Sequence, residues 1–337
     1  MGGTDDERMN SVHILGAGAL GSLWGAQLAR AGVPTTMLVR PSSPLLAGHC
    51  GIRVRELWRG DAEKAPNSTA RVAFESSSSP SLDPIRTLLV LTKAFSAREA
   101  IEGVAHRLSG SDSMIFLLCN AGLAVTDEVR ASPLLQHCPL ILGTTTHGAF
   151  LETHAEDIAV VWAGSGKCWF GSADPLKPPP EKLRSRLGIL ASSGLTSGTP
   201  DQEISVRLWQ KLAANAALNP LTALGQKLNG EVLECSADRQ AMEEVVEEVA
   251  AVARQKFGPD PALSAPELLD FVTRCALDNK RNRSSMFQDV LLQRRTEIDH
   301  LNGWVVSCGI QLGIPTPRNK QLFDAVQSLE AAYAPAG

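Results

Sequence analysis

The sequence predicts an α/β first half and an all-helical second half, and three observations carry that expectation. A short apolar strand near the N-terminus runs straight into a glycine-patterned turn and a helix of small residues, several strand-length apolar runs follow, and beyond Asp201 the helical period continues almost to the end. A chain of 337 residues with 44% hydrophobic content supports two globular domains, placed at 11–202 and 203–333.

The elements can be justified in order. Val12–Leu15 reads as a strand, Gly16-Ala17-Gly18-Ala19-Leu20-Gly21 as the turn after it, the run to Arg30 as a helix, and Thr35–Val39 as a second strand. In that βαβ setting Gly-x-Gly-x-x-Gly is a dinucleotide fingerprint: the glycines admit a pyrophosphate to the backbone, and its charge meets the free N–H groups of the helix start. An N-terminal Rossmann-type dinucleotide-binding domain is therefore expected. NAD-preferring sites carry an acid after the second strand, whereas this chain has Arg40-Pro41-Ser42-Ser43. A guanidinium suits a 2′-phosphate, so NADP(H) is the expected cofactor; a solvated surface arginine is the plainer reading.

Strands follow at 51–56 and 71–74, then a loop at 76–80. Thr87–Thr92 is a fully apolar strand of the parallel-sheet kind, which delivers Lys93 to the carboxyl edge where ligands bind in open α/β sheets. A helix at 98–108 leads to Met114–Leu118, a strand that delivers Asn120 to the same edge. From Pro139 onward, runs at 140–143, 158–162 and 167–171 read as antiparallel additions to the sheet, with a loop at 174–180 and a helix at 181–190.

In the second half helices are expected at 206–219, 237–257, 266–278, 285–308 and 318–332. The first holds Lys211, Asn215 and Asn219, four apart, so they form one polar line on a rod otherwise made of Leu and Ala, with Pro220 as its stop. Three polar groups aimed at one place suggest a ligand in the cleft between domains. A snorkelling lysine and capping asparagines would explain them without one. Glu297 sits on the margin of a later apolar stripe, where it could meet Lys211 in the interior or Arg294 on a solvated face. Ser285 and Gln288 have capping-box spacing.

Composition narrows the function classes. A net charge of -4 and pI near 6.0 give no reason to bind nucleic acid or an anionic membrane, and no apolar run is long enough to span a bilayer. Seven scattered cysteines without Cys-x-x-Cys argue against disulfides and zinc, and no metal site is expected. The acidic start is neither a secretory signal nor a transit peptide, Asp6 disfavours myristoylation, and the triplets at Asn67 and Asn282 read as accidental, so a cytoplasmic protein is expected. A homodimer is compatible with the sequence, which fixes no oligomeric state.

Several stretches together resemble the ketopantoate reductase (2-dehydropantoate 2-reductase) family from about Val12 to about Ala332. They are Gly16–Gly21, Thr92-Lys93-Ala94, Gly143-Thr-Thr-Thr-His-Gly-Ala149, Lys211-Leu-Ala-Ala-Asn-Ala-Ala-Leu-Asn-Pro-Leu-Thr-Ala223, Asn229-Gly230, Ser284-Ser-Met-Phe-Gln-Asp289 and Thr296-Glu-Ile-Asp-His-Leu-Asn-Gly303. The resemblance implies reduction of a small 2-oxo acid, 2-dehydropantoate, by NADPH on the way to pantothenate and coenzyme A. It implies Lys211 as proton donor to the ketone and Glu297 as the acid that orients substrate or cofactor. Asn215, Asn219, Asn229, Asn282, Ser284, Ser285 and Asn120 would hold substrate. Gly16, Ala17, Gly18, Ala19, Leu20, Gly21, Arg40, Lys93, Asn120, Ala149 and Glu297 would line the cofactor. One departure stands out, because the family pattern has Asn-Gly where this chain reads Asn120-Ala121-Gly122. A reductase of another 2-oxo acid and a non-catalytic NADPH sensor remain the alternatives.

Overall fold

Strands buried on both faces form the middle of the first sheet. In the computed structural model, which describes residues 10–47, 51–59, 67–81, 83–153, 158–173 and 181–333, the chain divides into two compact units, 1–205 and 206–337. The N-terminal head and the loop expected at 174–180 lie outside the described residues.

The first unit begins with β1 (Val12–Leu15), α1 (Ala19–Arg30), β2 (Thr35–Val39), β3 (Gly51–Glu56), β4 (Asn67–Arg71) and β5 (Ala73–Ser76). It continues with β6 (Thr87–Val90), α2 (Ala94–Gly103), β7 (Met114–Leu117), α3 (Gly122–Ala131) and β8 (Leu140–Thr145). The last elements are β9 (Gly148–Thr153), β10 (Ile158–Gly164), β11 (Cys168–Ser172) and α4 (Leu183–Ala191). The main sheet has the order β11-β8-β7-β6-β1-β2-β5, parallel except for β11. β1, β6 and β7 are buried at every position, which is why they read as unbroken apolar runs. The chain moves to one side of β1 for β2 and to the other for β6, so the carboxyl end of β1 is a topological switch point.

A second sheet, β4-β3-β10-β9, was not foreseen. Of the three runs expected as antiparallel additions, only β11 is one. β8 is parallel to β7, and β10 pairs parallel with β3 and antiparallel with β9 in the second sheet. The alternating burial of β3 shows its physical reason: one face packs on α1, which touches strands of both sheets. Trp24 of α1 meets Phe170 of β11 edge to face at 6.0 Å, and Phe170 meets Phe116 of β7 at 5.6 Å, within the core of this unit.

The second unit contains α5 (Ile204–Gly225, which starts just before the division), α6 (Ser236–Lys256), α7 (Ala265–Asp278), α8 (Ser285–Leu291), α9 (Asn302–Leu312) and α10 (Pro317–Tyr333). Two expectations fail here. α5 does not stop at Asn219 but carries Pro220 inside it. The single helix expected at 285–308 is two helices with a one-turn 3-10 segment, Ile298–His300, between them. α8 ends at a left-handed Gln293 (φ 49), and the Arg294 N–H returns to the Asp289 carbonyl at 2.8 Å, a Schellman-type closure without glycine.

Among the described residues no helix is long and apolar enough to cross a membrane, and no group of His, Cys, Asp and Glu is placed to hold a metal ion.

Candidate active site

In the first unit the register of the sheet assembles the expected cofactor contacts. Leu15 pairs with Leu38 and Val90, and Val90 with Leu117, so these four residues form one row across β2, β1, β6 and β7. Gly16, Arg40, Lys93 and Asn120 each follow within one to three residues of that row. All four therefore emerge from one edge, around the switch point. Arg40 is exposed, while Lys93 and Asn120 are half-buried.

The glycine turn is shaped by backbone contacts. Gly16 has φ +106, and a Cβ there would lie 2.8 Å from the Leu91 carbonyl carbon and 2.9 Å from the Thr92 nitrogen. A Cβ on Gly21 would lie 1.8 Å from the Gly16 oxygen, so the helix start can pack on the turn only with glycine at this place. Gly18 has nothing within 4 Å of its missing Cβ, which leaves its backbone open to a ligand. Gly18 caps α1 without a side-chain hydrogen bond, and the first turn holds no acidic residue. Its N–H donors and the positive end of the helix dipole are thus left for an anion. Beside the turn, the Thr92 hydroxyl is buried without a partner among the described residues. These features fit a dinucleotide pyrophosphate.

Two further placements qualify the expectation. Asn120 precedes Ala121, the residue standing where the family pattern has glycine, and Ala121 is left-handed (φ 53) at the start of α3. The glycine-type conformation is kept without glycine. Ala149 lies on β9 in the second sheet, paired with Trp162. Two residues before it, His147 accepts a hydrogen bond from the Gly166 N–H at its Nδ1 (3.0 Å) and donates from Nε2 to the Leu195 carbonyl (3.0 Å). Burial holds this ring below the ordinary histidine pKa, partly opposed by the Leu195 carbonyl, so it is neutral and serves to pin the corner after β8.

In the second unit α5 presents the polar line as expected. Leu212, Ala213, Ala214, Ala216, Ala217 and Leu218 are buried, while Lys211 and Asn215 are half-buried and Asn219 is 8% exposed. Lys211 lies close enough to α7 to act on the Cys275 thiol. Burial and then Asp278 push that thiol up to about 11, and Arg274 and Lys211 pull it back. Glu297 is 5% exposed and caps the 3-10 turn, so it does not lie on a solvated face with Arg294. Thr296 before it is fully buried; its N–H is held by Glu330 of α10 at 2.7 Å, and its hydroxyl accepts the Ile298 N–H.

Asn229 and Asn282 meet through the Asn229 N–H, which donates to the Asn282 carbonyl at 3.0 Å. The Gly230 N–H donates to Lys280 in the same way, and a Cβ on Gly230 would lie 2.6 Å from the Lys280 Cβ. That contact explains Asn-Gly at this place. Among the described residues the Asn229 Oδ1 is buried without a protein partner, an acceptor facing no donor. The capping expectation shifts by one residue: Ser284, not Ser285, caps α8, accepting from the Phe287 N–H at 3.0 Å. Ser284 also shares a 2.7 Å hydrogen bond with the Thr222 hydroxyl of α5, whereas the Ser285 side chain is exposed. Thr222 and Asn302 are the residues that sequence reasoning passed over. The signal for Asn302 was Pro220, since a proline within a helical run orphans the carbonyl four residues earlier.

Residues 12–175 match the family model described as ketopantoate reductase PanE/ApbA, and residues 203–330 match the model of its C-terminal domain. A 2-dehydropantoate 2-reductase of Vibrio cholerae is 31% identical, with 97% of this chain and 100% of that protein covered. The crystal structure of a PanE/ApbA family ketopantoate reductase from Ralstonia eutropha JMP134 superposes with a TM-score of 0.79 at 26% identity, covering 96% of this chain and 99% of that one. D-mandelate dehydrogenase, solved with NADH and anilino(oxo)acetate, shares the fold with a TM-score of 0.80 at 22% identity over 96% and 99% of the two chains.

Proposed function

Because the chain belongs to the ketopantoate reductase family, we propose that it reduces 2-dehydropantoate to pantoate with NADPH, a cytoplasmic step of pantothenate biosynthesis. The observation that carries this reading is the line Lys211, Asn215, Asn219 on a helix whose other positions from Leu212 to Ala223 are buried, in the same unit as the nearly buried Glu297.

When bound, NADPH supplies hydride to the ketone carbon. The protein's part is the charge that grows on the ketone oxygen: the Lys211 ammonium donates a hydrogen bond to that oxygen, then its proton. Lys211 must therefore be protonated before reduction, a form that a carboxylate near it would help to maintain; Glu297 is given the part of orienting the bound molecules. Asn215 and Asn219 offer amides to the substrate's carboxylate and hydroxyl. The buried, unpartnered Asn229 Oδ1 is an acceptor that a substrate hydroxyl would satisfy. Asn282 and Ser285, both exposed, close the polar rim, and Ser284 contributes from beneath through the start of α8.

The Gly16–Gly21 turn would receive the pyrophosphate, and Lys93, Asn120 and Ala149 would line the rest of the cofactor. Arg40 follows β2 where the adenosine ribose sits in Rossmann-type sites, and its fork of donors suits a 2′-phosphate.

The test is a panel of 2-oxo acids assayed by loss of NADPH absorbance. 2-Dehydropantoate should give the highest kcat/KM. A higher value for a 2-oxo acid lacking the hydroxyl, or no turnover with any member, would overturn the assignment.

A further inference from the structure

Helix α5 runs through Pro220 and continues to Gly225. Proline has no N–H, so the Ala216 carbonyl loses its helical donor, and the ring presses on that carbonyl. In most helices this ends or kinks the rod. Here the missing donor comes from Asn302, the first residue of α9, 86 positions away in sequence and fully buried. Its Nδ2 donates to the Ala216 oxygen at 2.9 Å and to the Asn319 Oδ1 at 3.0 Å.

The orientation of both amides is fixed from outside. Glu248 of α6 accepts the Arg318 N–H at Oε1 (2.7 Å) and the Asn319 N–H at Oε2 (2.9 Å), capping α10. The same Oε2 accepts the Asn319 Nδ2 at 2.8 Å. An accepting carboxylate requires Asn319 to turn its NH2 toward Glu248, hence its oxygen toward Asn302, hence the Asn302 NH2 toward Ala216. One directed chain thus ties α6, α10 and α9 to a single carbonyl of α5. That carbonyl lies between Asn215 and Asn219 in sequence.

We propose that Asn302 is a positioning residue: it replaces the hydrogen bond that Pro220 removes and so fixes the turn of α5 that presents Asn215 and Asn219 to substrate. The functional half of this inference rests on the reading of those two asparagines given above; the structural half does not.

The experiment is a four-member cycle of wild type, Asn302→Ala, Pro220→Ala and the double variant, because alanine at 220 restores a backbone donor to Ala216. Two readouts are taken: amide hydrogen exchange across 213–221, and KM, kcat and NADPH Kd with 2-dehydropantoate. Asn302→Ala should speed exchange in that segment and raise KM for the 2-oxo acid roughly tenfold, with NADPH Kd changed less than about twofold. Pro220→Ala should resemble wild type, and the double variant should return most of the way to it. A double variant as impaired as Asn302→Ala, or an Asn302→Ala enzyme with unaltered exchange, overturns the proposal. If Asn302→Ala does not fold, the double variant decides alone: folded and active supports the clamp, unfolded refutes it. Wild type inactive on 2-dehydropantoate would sink the functional reading while the exchange data still judged the clamp.

Discussion

The glycine turn and the polar line of α5 are built by different means. The turn works through what is missing: at Gly16 and Gly21 a single carbon would collide with backbone, and at Gly18 the open side is the point. α5 instead carries added polar side chains, Lys211, Asn215 and Asn219, along a stretch whose Ala216 carbonyl is held by Asn302 from a helix much later in the chain. A site made of backbone is specified by neighbours in sequence; a site made of side chains is specified by contacts that sequence order hides.

That contrast can be broken or sharpened by substitution. The largest effect is expected for Lys211→Ala, which should lower kcat by about 10² to 10⁴ while NADPH Kd, measured by fluorescence titration, stays within about threefold. A fall in NADPH affinity equal to the fall in turnover would show that the lysine serves the cofactor rather than the proton. Next comes Gly21→Ala, where adding a carbon rather than removing one should do the damage. NADPH Kd should rise more than roughly tenfold because the turn must open to admit the methyl group; unchanged binding would mean the turn is softer than its geometry says. Arg40→Ala should weaken NADPH roughly tenfold more than NADH. Equal loss for both cofactors would remove the 2′-phosphate from its role.

The smallest effect should appear at Ala121, a left-handed residue at a strand-to-helix turn. Ala121→Gly should stabilise the protein by up to about 1 kcal/mol in urea unfolding, since relief of the Cβ strain exceeds the added freedom of the unfolded chain. A destabilised variant would mean the methyl group packs more favourably than its backbone is strained.

The same contrast explains what was legible in the sequence. Gly16–Gly21, the apolar central strands and the polar line of α5 each announce themselves within a few residues, and each stands in the structure where it was read. The strand expected at 71–74 breaks at Val72 into β4 and β5, which join different sheets, whereas four other misreadings involve distant partners. Pro220 looked like a stop because its compensating donor, Asn302, lies on another helix. The break between α8 and α9 was invisible because its left-handed residue is Gln293 and its anchor is Glu330 of α10, with no glycine or proline to mark either. The second sheet was missed because β3 and β10 pair across about a hundred residues with ordinary strand sequences. Whether Ser284 or Ser285 caps α8 turned on Thr222, which holds Ser284 from α5.

Helix α1 touches strands of both sheets, with Trp24 seated edge-on to Phe170. Contacts on two sides leave a helix little room to rock, so the donors at its start would be aimed before an anion arrives. The loss of freedom needed to form that cradle is incurred when the chain folds, leaving little to lose at the moment of encounter. A nicotinamide dinucleotide would find such a mount formed in advance.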